Sequence, residues 1–193
     1  MRIGLYGGTF DPIHLGHLRA AETAREALGL DLVAFLPAAV PPHRGSPLSA
    51  AADRLAMARL ATASHPRFEA WDKELRRPGP SYTVETVAAL LSDRPCDSFV
   101  LVVGADTWPE MTSWREPERL LSLVTVAVVD RPGFAAAGRE SPFPDGRGVR
   151  RVEGPTLPIS ATAIRERVRL GLSIRFLVPD PVADYVAERR LYT

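Results

Sequence analysis

The stretch that decides the fold is residues 1–22, MRIGLYGGTFDPIHLGHLRAAE, where a short apolar run ends in two glycines and turns polar at once. RIGLYGG predicts a buried strand. HLRAAETAREALG predicts a helix that ends at Gly29, a residue suited to a left-handed cap. A strand that passes through glycines into a helix is typical of the repeating unit of α/β proteins.

The same alternation of strand and helix continues along the chain. Further strands are predicted at DLVAFLP, RFEAWDKEL, SFVLVVGAD, VTVAVVD and VRRVEG. Helices are predicted at LSAAADRLAMARLATA with Ser49 as its N-cap, SYTVETVAALLSDR, REPERLLSL, ISATAIRERVRLG from Ser160, and VPDPVADYVAERRLY from near Pro179 or Pro181. We therefore expect a single domain over residues 1–193, a doubly wound, mostly parallel α/β sheet with C-terminal helices. Ligands of such sheets lie at the carboxyl ends of the strands.

Composition limits the classes of function. The 193 residues are 46% hydrophobic and 24% charged, with a formal net charge of +1, so no general field attracts nucleic acid or an anionic membrane. Cys96 is the only cysteine, which excludes an intrachain disulfide and a thiolate zinc cluster. No apolar run approaches the roughly 18 residues that span a bilayer. These features predict a cytoplasmic protein that is neither exported nor inserted in a membrane.

The turn after the first strand has the chemistry of an anion site. Gly7 and Gly8 let backbone approach a ligand, Thr9 adds a hydroxyl, and the following helix offers unpaired N–H groups. His14 and His17 are spaced to share one helix face, with Gly16 leaving room between them. Imidazole donors at this place suit phosphoryl or nucleotidyl transfer. The alternative is that one histidine caps the helix and the other packs in the core; a zinc site is less favoured because no third ligand is near.

Two segments carry a resemblance to a known superfamily. GGTFDPIHLGHL resembles the (H/T)xGH signature of the nucleotidyltransferases, a superfamily that includes class I aminoacyl-tRNA synthetases, and ISATAIRERV resembles its ISxTxIR motif. The resemblance implies a Rossmann-like nucleotidyltransferase fold in which Ser160, Thr162 and Arg165 hold the β- and γ-phosphates of ATP. Alone, ISATAIR also fits a helix capped by a hydroxyl.

Within that superfamily the chain resembles the bacterial nicotinate-nucleotide adenylyltransferases through further segments. LPAAVPPHR resembles the family's loop after the second strand, which implies that Arg44, with His43 beside it, faces the phosphates. Read locally, this segment is a proline-rich surface loop. GPSYTVETVAAL resembles the SYTxxT segment, whose backbone near Tyr82 and Thr83 meets the pyridine carboxylate; its local reading is a helix start with Glu85 in the first turn.

Two later segments extend the likeness. GADTWPEMTSW resembles another segment of the family. The resemblance implies that Asp106 lies near ribose hydroxyls and that Trp114 stacks on the pyridinium. Trp108 and Trp71 are expected to be packing residues. VVDRPG resembles the adenine-side loop, with its Arg, Pro and Gly at residues 131–133. Two departures stand out. Arg115 replaces an aromatic residue that often follows the stacking tryptophan in the family. Ala161 replaces a serine whose hydroxyl would donate a hydrogen bond to a phosphate.

The resemblance implies transfer of the adenylyl group of ATP to nicotinate mononucleotide by direct in-line attack, giving nicotinate adenine dinucleotide and pyrophosphate. Mg²⁺ would be held mainly by ATP phosphates and water, with no metal site in the protein. The partners would be these nucleotides, without nucleic acid or membrane, and oligomeric state stays open. The implied site is catalytic His14, His17, Arg44 and Arg165; ATP-binding Gly7, Gly8, Thr9, Phe10, Gly16, Gly104, Asp106, Arg131, Pro132, Ser160 and Thr162; and substrate-binding His43, Tyr82, Thr83 and Trp114.

Three alternatives remain at this point. A sister enzyme, such as a pantetheine-phosphate adenylyltransferase or a cytidylyltransferase, would keep both phosphate motifs. A tRNA synthetase fragment would need a lysine-rich KMSKS loop, whereas Lys73, in WDKEL, is the only lysine. A nucleotide-binding adaptor would bind ATP without turnover.

Overall fold

The computed structural model describes residues 1–41, 47–130, 143, 148–155 and 157–193. The strands are β1 (Arg2–Gly8), β2 (Leu32–Pro37), β3 (Phe68–Ala70), β4 (Ser98–Gly104), β5 (Thr125–Val129) and β6 (Val149–Val152). The helices are α1 (Leu15–Leu28), α2 (Ala51–Thr62), α3 (Thr83–Asp93), α4 (Pro117–Leu123), α5 (Ala161–Arg169) and α6 (Asp180–Glu188), with a 3₁₀ helix at Trp108–Ser113.

The six described strands form one parallel sheet in the order β3-β2-β1-β4-β5-β6. β1 lies in the middle, between β2 and β4, so the chain winds outward first to one side and then to the other. The carboxyl ends of β1 and β4 are therefore the switch point at which doubly wound sheets bind ligands. The predicted fold, a doubly wound parallel sheet with C-terminal helices, is confirmed.

Both faces of the sheet are buried under helices. Because side chains alternate in direction along each strand, one strand contributes to both apolar clusters. From β1, Ile3 and Leu5 enter one apolar cluster, together with residues of α3, the 3₁₀ helix and α4. Tyr6 enters the other cluster, which contains residues of α1, α2, α5 and α6. Trp108 is fully buried in the first cluster, as a packing residue should be, and Trp71 packs against it.

Several helix ends follow from their sequences. α1 ends at Gly29, whose left-handed φ of 61° lets its N–H bond back to the carbonyl of Glu26. α5 begins after Ser160, whose Oγ accepts the Ala163 N–H at 3.2 Å, and α6 begins after Pro179. These three boundaries agree with the predictions.

Two details of the predictions are wrong. Ser49 does not cap α2, because Ala50 occupies the N-cap position and the Ser49 hydroxyl instead donates to the Asp11 carboxylate. The third strand is shorter than RFEAWDKEL and pairs only with β2. No helix in the described ranges has the length and apolar character needed to cross a membrane.

Candidate active site

A cleft of about 680 Å³ opens at the carboxyl ends of β1 and β4 and extends toward the N-termini of α1, α3 and α5. Residues of both GGTFDPIHLGHL and ISATAIRERV line it, although Asp11 and Arg165, one from each motif, are 154 positions apart in the sequence. The predicted site residues that line it are Gly7, Gly8, Thr9, Phe10, His14, His17, Tyr82, Thr83, Gly104, Asp106, Trp114, Ser160, Thr162 and Arg165.

Gly7 and Gly8, at the end of β1, are glycine for different physical reasons. A Cβ on Gly8 would lie 2.9 Å from the ring of Phe10, a residue held at a positive φ of 51° and almost fully buried. Gly8 is therefore required by the packing of Phe10. A Cβ on Gly7 would meet nothing within 4 Å, so the protein's own packing does not require glycine at this cleft-lining position. Open space beside Gly7 is what close approach of a ligand to the backbone needs.

His14 and His17 lie together at the start of α1. Their rings stack with centroids 3.7 Å apart and an angle of 23° between the planes. His14 occupies the N-cap position, and its backbone N–H donates to Nδ1 of His17 at 3.2 Å. Because Nδ1 of His17 accepts that bond, the proton of the neutral ring sits on Nε2, which leaves Nε2–H as a donor.

The positions of the two histidines are compatible with both the local reading and the functional one, and the functional role stays a prediction. His14 has the position of a cap and is 1% exposed, and His17 packs edge-on against Phe10 at 5.1 Å. Both rings nevertheless line the cleft. Gly16 does not line it; a Cβ there would lie 3.0 Å from the His14 ring, so this glycine makes room for the imidazole.

The C-terminal motif meets the N-terminal one directly. Arg165, on the second turn of α5, donates from Nη1 to the backbone carbonyl of Asp11 at 2.7 Å and from Nη2 to Thr162 Oγ1 at 3.2 Å. Ser160 caps α5 and lines the cleft, so its structural and proposed roles coexist. Two helix N-termini, of α1 and α5, thus border one cavity and favour an anion in it.

The other end of the cleft is formed by the start of α3 and the segment after β4. Tyr82 occupies the N-cap position of α3 and lines the cleft with Thr83 and Trp114. The guanidinium of Arg115 lies 4.6 Å from the centre of the Tyr82 ring, and its Nη1 is 3.3 Å from Glu85 Oε1. At the position where the resembling family often has an aromatic residue, the cleft therefore has a cation stacked on an aromatic ring.

Four of the predicted residues lie outside the described part of the chain. They are His43 and Arg44, from the segment after β2, and Arg131 and Pro132, from the segment after β5. Their roles stay predictions.

Sequence reasoning missed a buried arginine below the turn between β1 and α1. Arg54, on α2, is 1% exposed and donates to the carbonyl of Thr9 at 2.9 Å and to that of Ala39 at 3.1 Å. Burial lowers the pKa of this guanidinium, and the nearby Asp11 carboxylate partly offsets the effect. An arginine in an amphipathic helix reads as part of the solvated face, so no local signal distinguishes Arg54.

A second missed residue is Glu74, which lines the cleft beside Ser81 although only 6% of it is exposed. Its Oε1 accepts the Thr86 hydroxyl at 3.0 Å, and Thr86 Oγ1 in turn accepts from Arg77 at 2.7 Å. Burial raises the pKa of Glu74, while the hydrogen bonds from Thr86 and Ser81 act in the opposite direction. This carboxyl supports the start of α3, where Tyr82 and Thr83 lie.

The donor set bears on a metal. Within the described ranges, no three His, Cys, Asp or Glu side chains converge in a way that could hold a metal ion.

Comparison with known proteins agrees with this geometry. The model of the cytidylyltransferase-like family matches residues 5–167. Proteins named "probable nicotinate-nucleotide adenylyltransferase" are 46% identical in Symbiobacterium thermophilum, over 99% of this chain and 95% of the relative, and 45% identical in Thermus thermophilus, over all of both chains. Among solved structures, the nicotinic acid mononucleotide adenylyltransferase of Plasmodium falciparum complexed with NaAD superposes with a TM-score of 0.79 at 17% identity, covering 99% of this chain and 97% of that one, a likeness of fold. The chain belongs to the cytidylyltransferase-like family and, within it, to the nicotinate-nucleotide adenylyltransferases.

Proposed function

We propose that the protein transfers the adenylyl group of ATP to nicotinate mononucleotide, giving nicotinate adenine dinucleotide and pyrophosphate. The observation that carries this proposal is the convergence of two distant phosphate motifs on one cleft, joined where Arg165 Nη1 meets the Asp11 carbonyl at 2.7 Å. The acceptor follows from the family's name and from the NaAD complex of the Plasmodium falciparum protein.

The reaction needs no protein nucleophile. A phosphate oxygen of the mononucleotide attacks the α-phosphorus of ATP, a new P–O bond forms there, and the bond to the bridging oxygen of the β-phosphate breaks. Pyrophosphate leaves with that electron pair. The task of the protein is to align two anions and to stabilise the charge that builds on the oxygens around the α-phosphorus.

On the phosphate side, His17 would donate a hydrogen bond through Nε2–H, with the ring of His14 stacked beside it. Arg165 supplies a permanent positive charge from the opposite motif, with Thr162 and the α5 N-terminus next to it. Because these groups are fixed before the substrate arrives, little reorganisation is needed as charge develops. Arg44 and His43 would add cationic donors from the segment after β2.

Mg²⁺ belongs to the proposal as a cation carried by the triphosphate. When bound, it neutralises part of the charge on the β- and γ-phosphates and on the leaving pyrophosphate. Phosphate oxygens and water would be its main ligands, as is usual for Mg²⁺ carried by a nucleotide.

On the acceptor side, Trp114 would stack on the pyridinium ring, and backbone N–H groups near Tyr82 and Thr83 would hold the carboxylate. Gly104 ends β4 and Asp106 follows it. Both would contact the ATP side of the cleft, with Arg131 and Pro132 shaping the adenine edge. Phosphopantetheine has no flat cationic ring for such a surface, so the sister reaction is not favoured. A cytoplasmic location stays a prediction from composition.

The test is pyrophosphate release with ATP and each candidate acceptor in turn. We expect turnover with nicotinate mononucleotide and little or none with nicotinamide mononucleotide or phosphopantetheine. Turnover with phosphopantetheine alone would overturn the acceptor. Tight ATP binding without release of pyrophosphate with any acceptor would make the protein a binding module.

A further inference from the structure

The Asp11 side chain is the centre of a buried hydrogen-bond cluster that the proposed reaction does not use directly. Its carboxylate accepts the Leu48 N–H at 2.8 Å on Oδ2 and the hydroxyls of Ser49 and Tyr192 on Oδ1, the latter at 2.7 Å. Asp11 is 4% exposed and Tyr192 is 8% exposed. Charge-assisted bonds of this kind are strong inside a protein, because water does not compete for them.

The same residue connects the cluster to the reaction site. The backbone carbonyl of Asp11 is the anchor of Arg165, and Asp11 lies in the turn between the cleft-lining Phe10 and His14. Because the carboxylate and the carbonyl belong to one residue, the bonds that hold the Asp11 side chain also restrict movement of the backbone at residue 11, and with it the acceptor that fixes the Arg165 guanidinium. Tyr192 holds that side chain from a part of the chain beyond α6.

Tyr192 is suited to this task by its chemistry. An apolar ring would fill the same space, so packing alone does not call for the hydroxyl. Burial, with the Asp11 carboxylate beside it, raises the pKa of Tyr192, and its hydroxyl remains a donor at neutral pH.

We propose that Tyr192 is a positioning residue for adenylyl transfer, which with Ser49 fixes the Asp11 side chain and thereby the turn and the Arg165 anchor at the phosphate end of the cleft. The inference rests on the proposed function for its effect on catalysis. Its structural effect, the ordering of the turn, does not depend on which acceptor is used.

The chain offers a matched control. Tyr185, on α6, also donates its hydroxyl to an aspartate, Asp53 Oδ1 on α2, at 2.9 Å. Neither Tyr185 nor Asp53 lines the cleft. Tyr192→Phe and Tyr185→Phe therefore remove the same hydroxyl from the same type of hydrogen bond. Only the bond of Tyr192 ends on a residue, Asp11, that lines the cleft.

The experiment measures kcat, the KM for ATP and the melting temperature of both variants, with hydrogen–deuterium exchange of the turn between β1 and α1. We expect Tyr192→Phe to lower kcat about tenfold with the KM for ATP changed less than about twofold, because misalignment acts mainly in the transition state. Exchange in the turn should become faster. Tyr185→Phe should leave both kcat and exchange in the turn at wild-type values, although it removes a tertiary bond as well.

Other outcomes overturn the inference. A folded Tyr192→Phe with wild-type kcat and unchanged exchange in the turn would do so, as would equal losses of kcat in both variants, which would indicate general destabilisation. If Tyr192→Phe does not fold, Ser49→Ala removes the second hydroxyl from the same carboxylate and carries the same expectations. Lack of pyrophosphate release by the wild type with nicotinate mononucleotide would refute the proposed function, whereas exchange in the turn would still decide the role of Tyr192.

Discussion

The two ends of the cleft are built on different principles. At the phosphate end, the supporting groups are buried and bonded to backbone: Asp11, His14 and Arg54 are each less than 5% exposed, and the carbonyls of Thr9 and Ala39 accept from Arg54. At the pyridine end Glu74 is buried as well, but the ion pair beside Tyr82 reaches solvent. The Arg115 side chain is 51% exposed, and its partner Glu85 is 42% exposed.

Under the proposed function, the difference corresponds to two tasks. Stabilising charge in a transition state needs donors that are fixed in advance, and burial with backbone partners fixes them. Choosing between two similar mononucleotides needs only a modest difference in binding free energy, which an exposed, screened cation can supply. Changes at the phosphate end should therefore affect turnover and stability strongly, and changes at the pyridine end should affect substrate preference moderately.

The largest effect is expected for His17→Ala. Loss of the Nε2–H donor should lower kcat about a hundredfold, or about 2.7 kcal/mol of transition-state stabilisation, while circular dichroism shows an intact fold. His65→Ala is the control, because His65 lies outside the cleft near Glu22. Near wild-type turnover of a folded His17→Ala would contradict the role assigned to the pair.

Next in size is the effect of Arg54→Met on stability. Removing the guanidinium leaves two partly buried carbonyls without their donor and should lower the free energy of unfolding by about 2 kcal/mol. Arg59→Met, on the same helix but with its side chain 59% exposed, should change it by less than about 0.5 kcal/mol. Urea denaturation measures both, and equal losses would show that burial of Arg54 contributes nothing.

A smaller, selective effect is expected for Arg115→Ala. Without this cation near Tyr82, the KM for nicotinate mononucleotide should rise about fivefold. The rate with nicotinamide mononucleotide, which is expected to be low or zero already, should hardly change. Arg119→Ala is the control, since Arg119 pairs with Glu116 at 2.9 Å and does not line the cleft. Equal changes for the two mononucleotides would remove Arg115 from substrate selection.

The smallest effect concerns pH and Glu74. Because burial raises the pKa of Glu74 above its usual value of 4.5, the folded state holds this proton to higher pH than the unfolded state does. Glu74 therefore contributes its full stabilisation at pH values below 4.5, where it is protonated in both states. This contribution to the free energy of unfolding is lost as pH rises through the pKa of Glu74 in the folded state. Relative to wild type, Glu74→Gln should be more stable at about pH 8 than at about pH 4 in urea denaturation.

The exposed Glu118, on α4, provides the control for this comparison. Glu118→Gln should change the free energy of unfolding by the same small amount at both pH values. An equally flat profile for Glu74→Gln would show that ionising the buried carboxyl costs the folded state nothing.

Sequence could predict the parts of this molecule whose signals are local. The alternation of apolar runs and amphipathic helices indicated the sheet. The glycines, the HxxH spacing and ISATAIR marked segments that line one cleft, whose binding of phosphate stays a prediction. Asp11 and Tyr192 meet across 181 positions, and no local pattern announces such a contact. Ser49 looked like a helix cap because serine often is one, but the buried carboxylate of Asp11 takes its hydroxyl instead.

The most direct test of the account is a crystal structure of the protein with a non-hydrolysable ATP analogue and Mg²⁺. The account predicts that the triphosphate lies between the two motifs, within hydrogen-bond distance of His17 Nε2 on one side and of Arg165 or Thr162 on the other. A triphosphate that contacts only one of the motifs, or that binds outside this cleft, would contradict it.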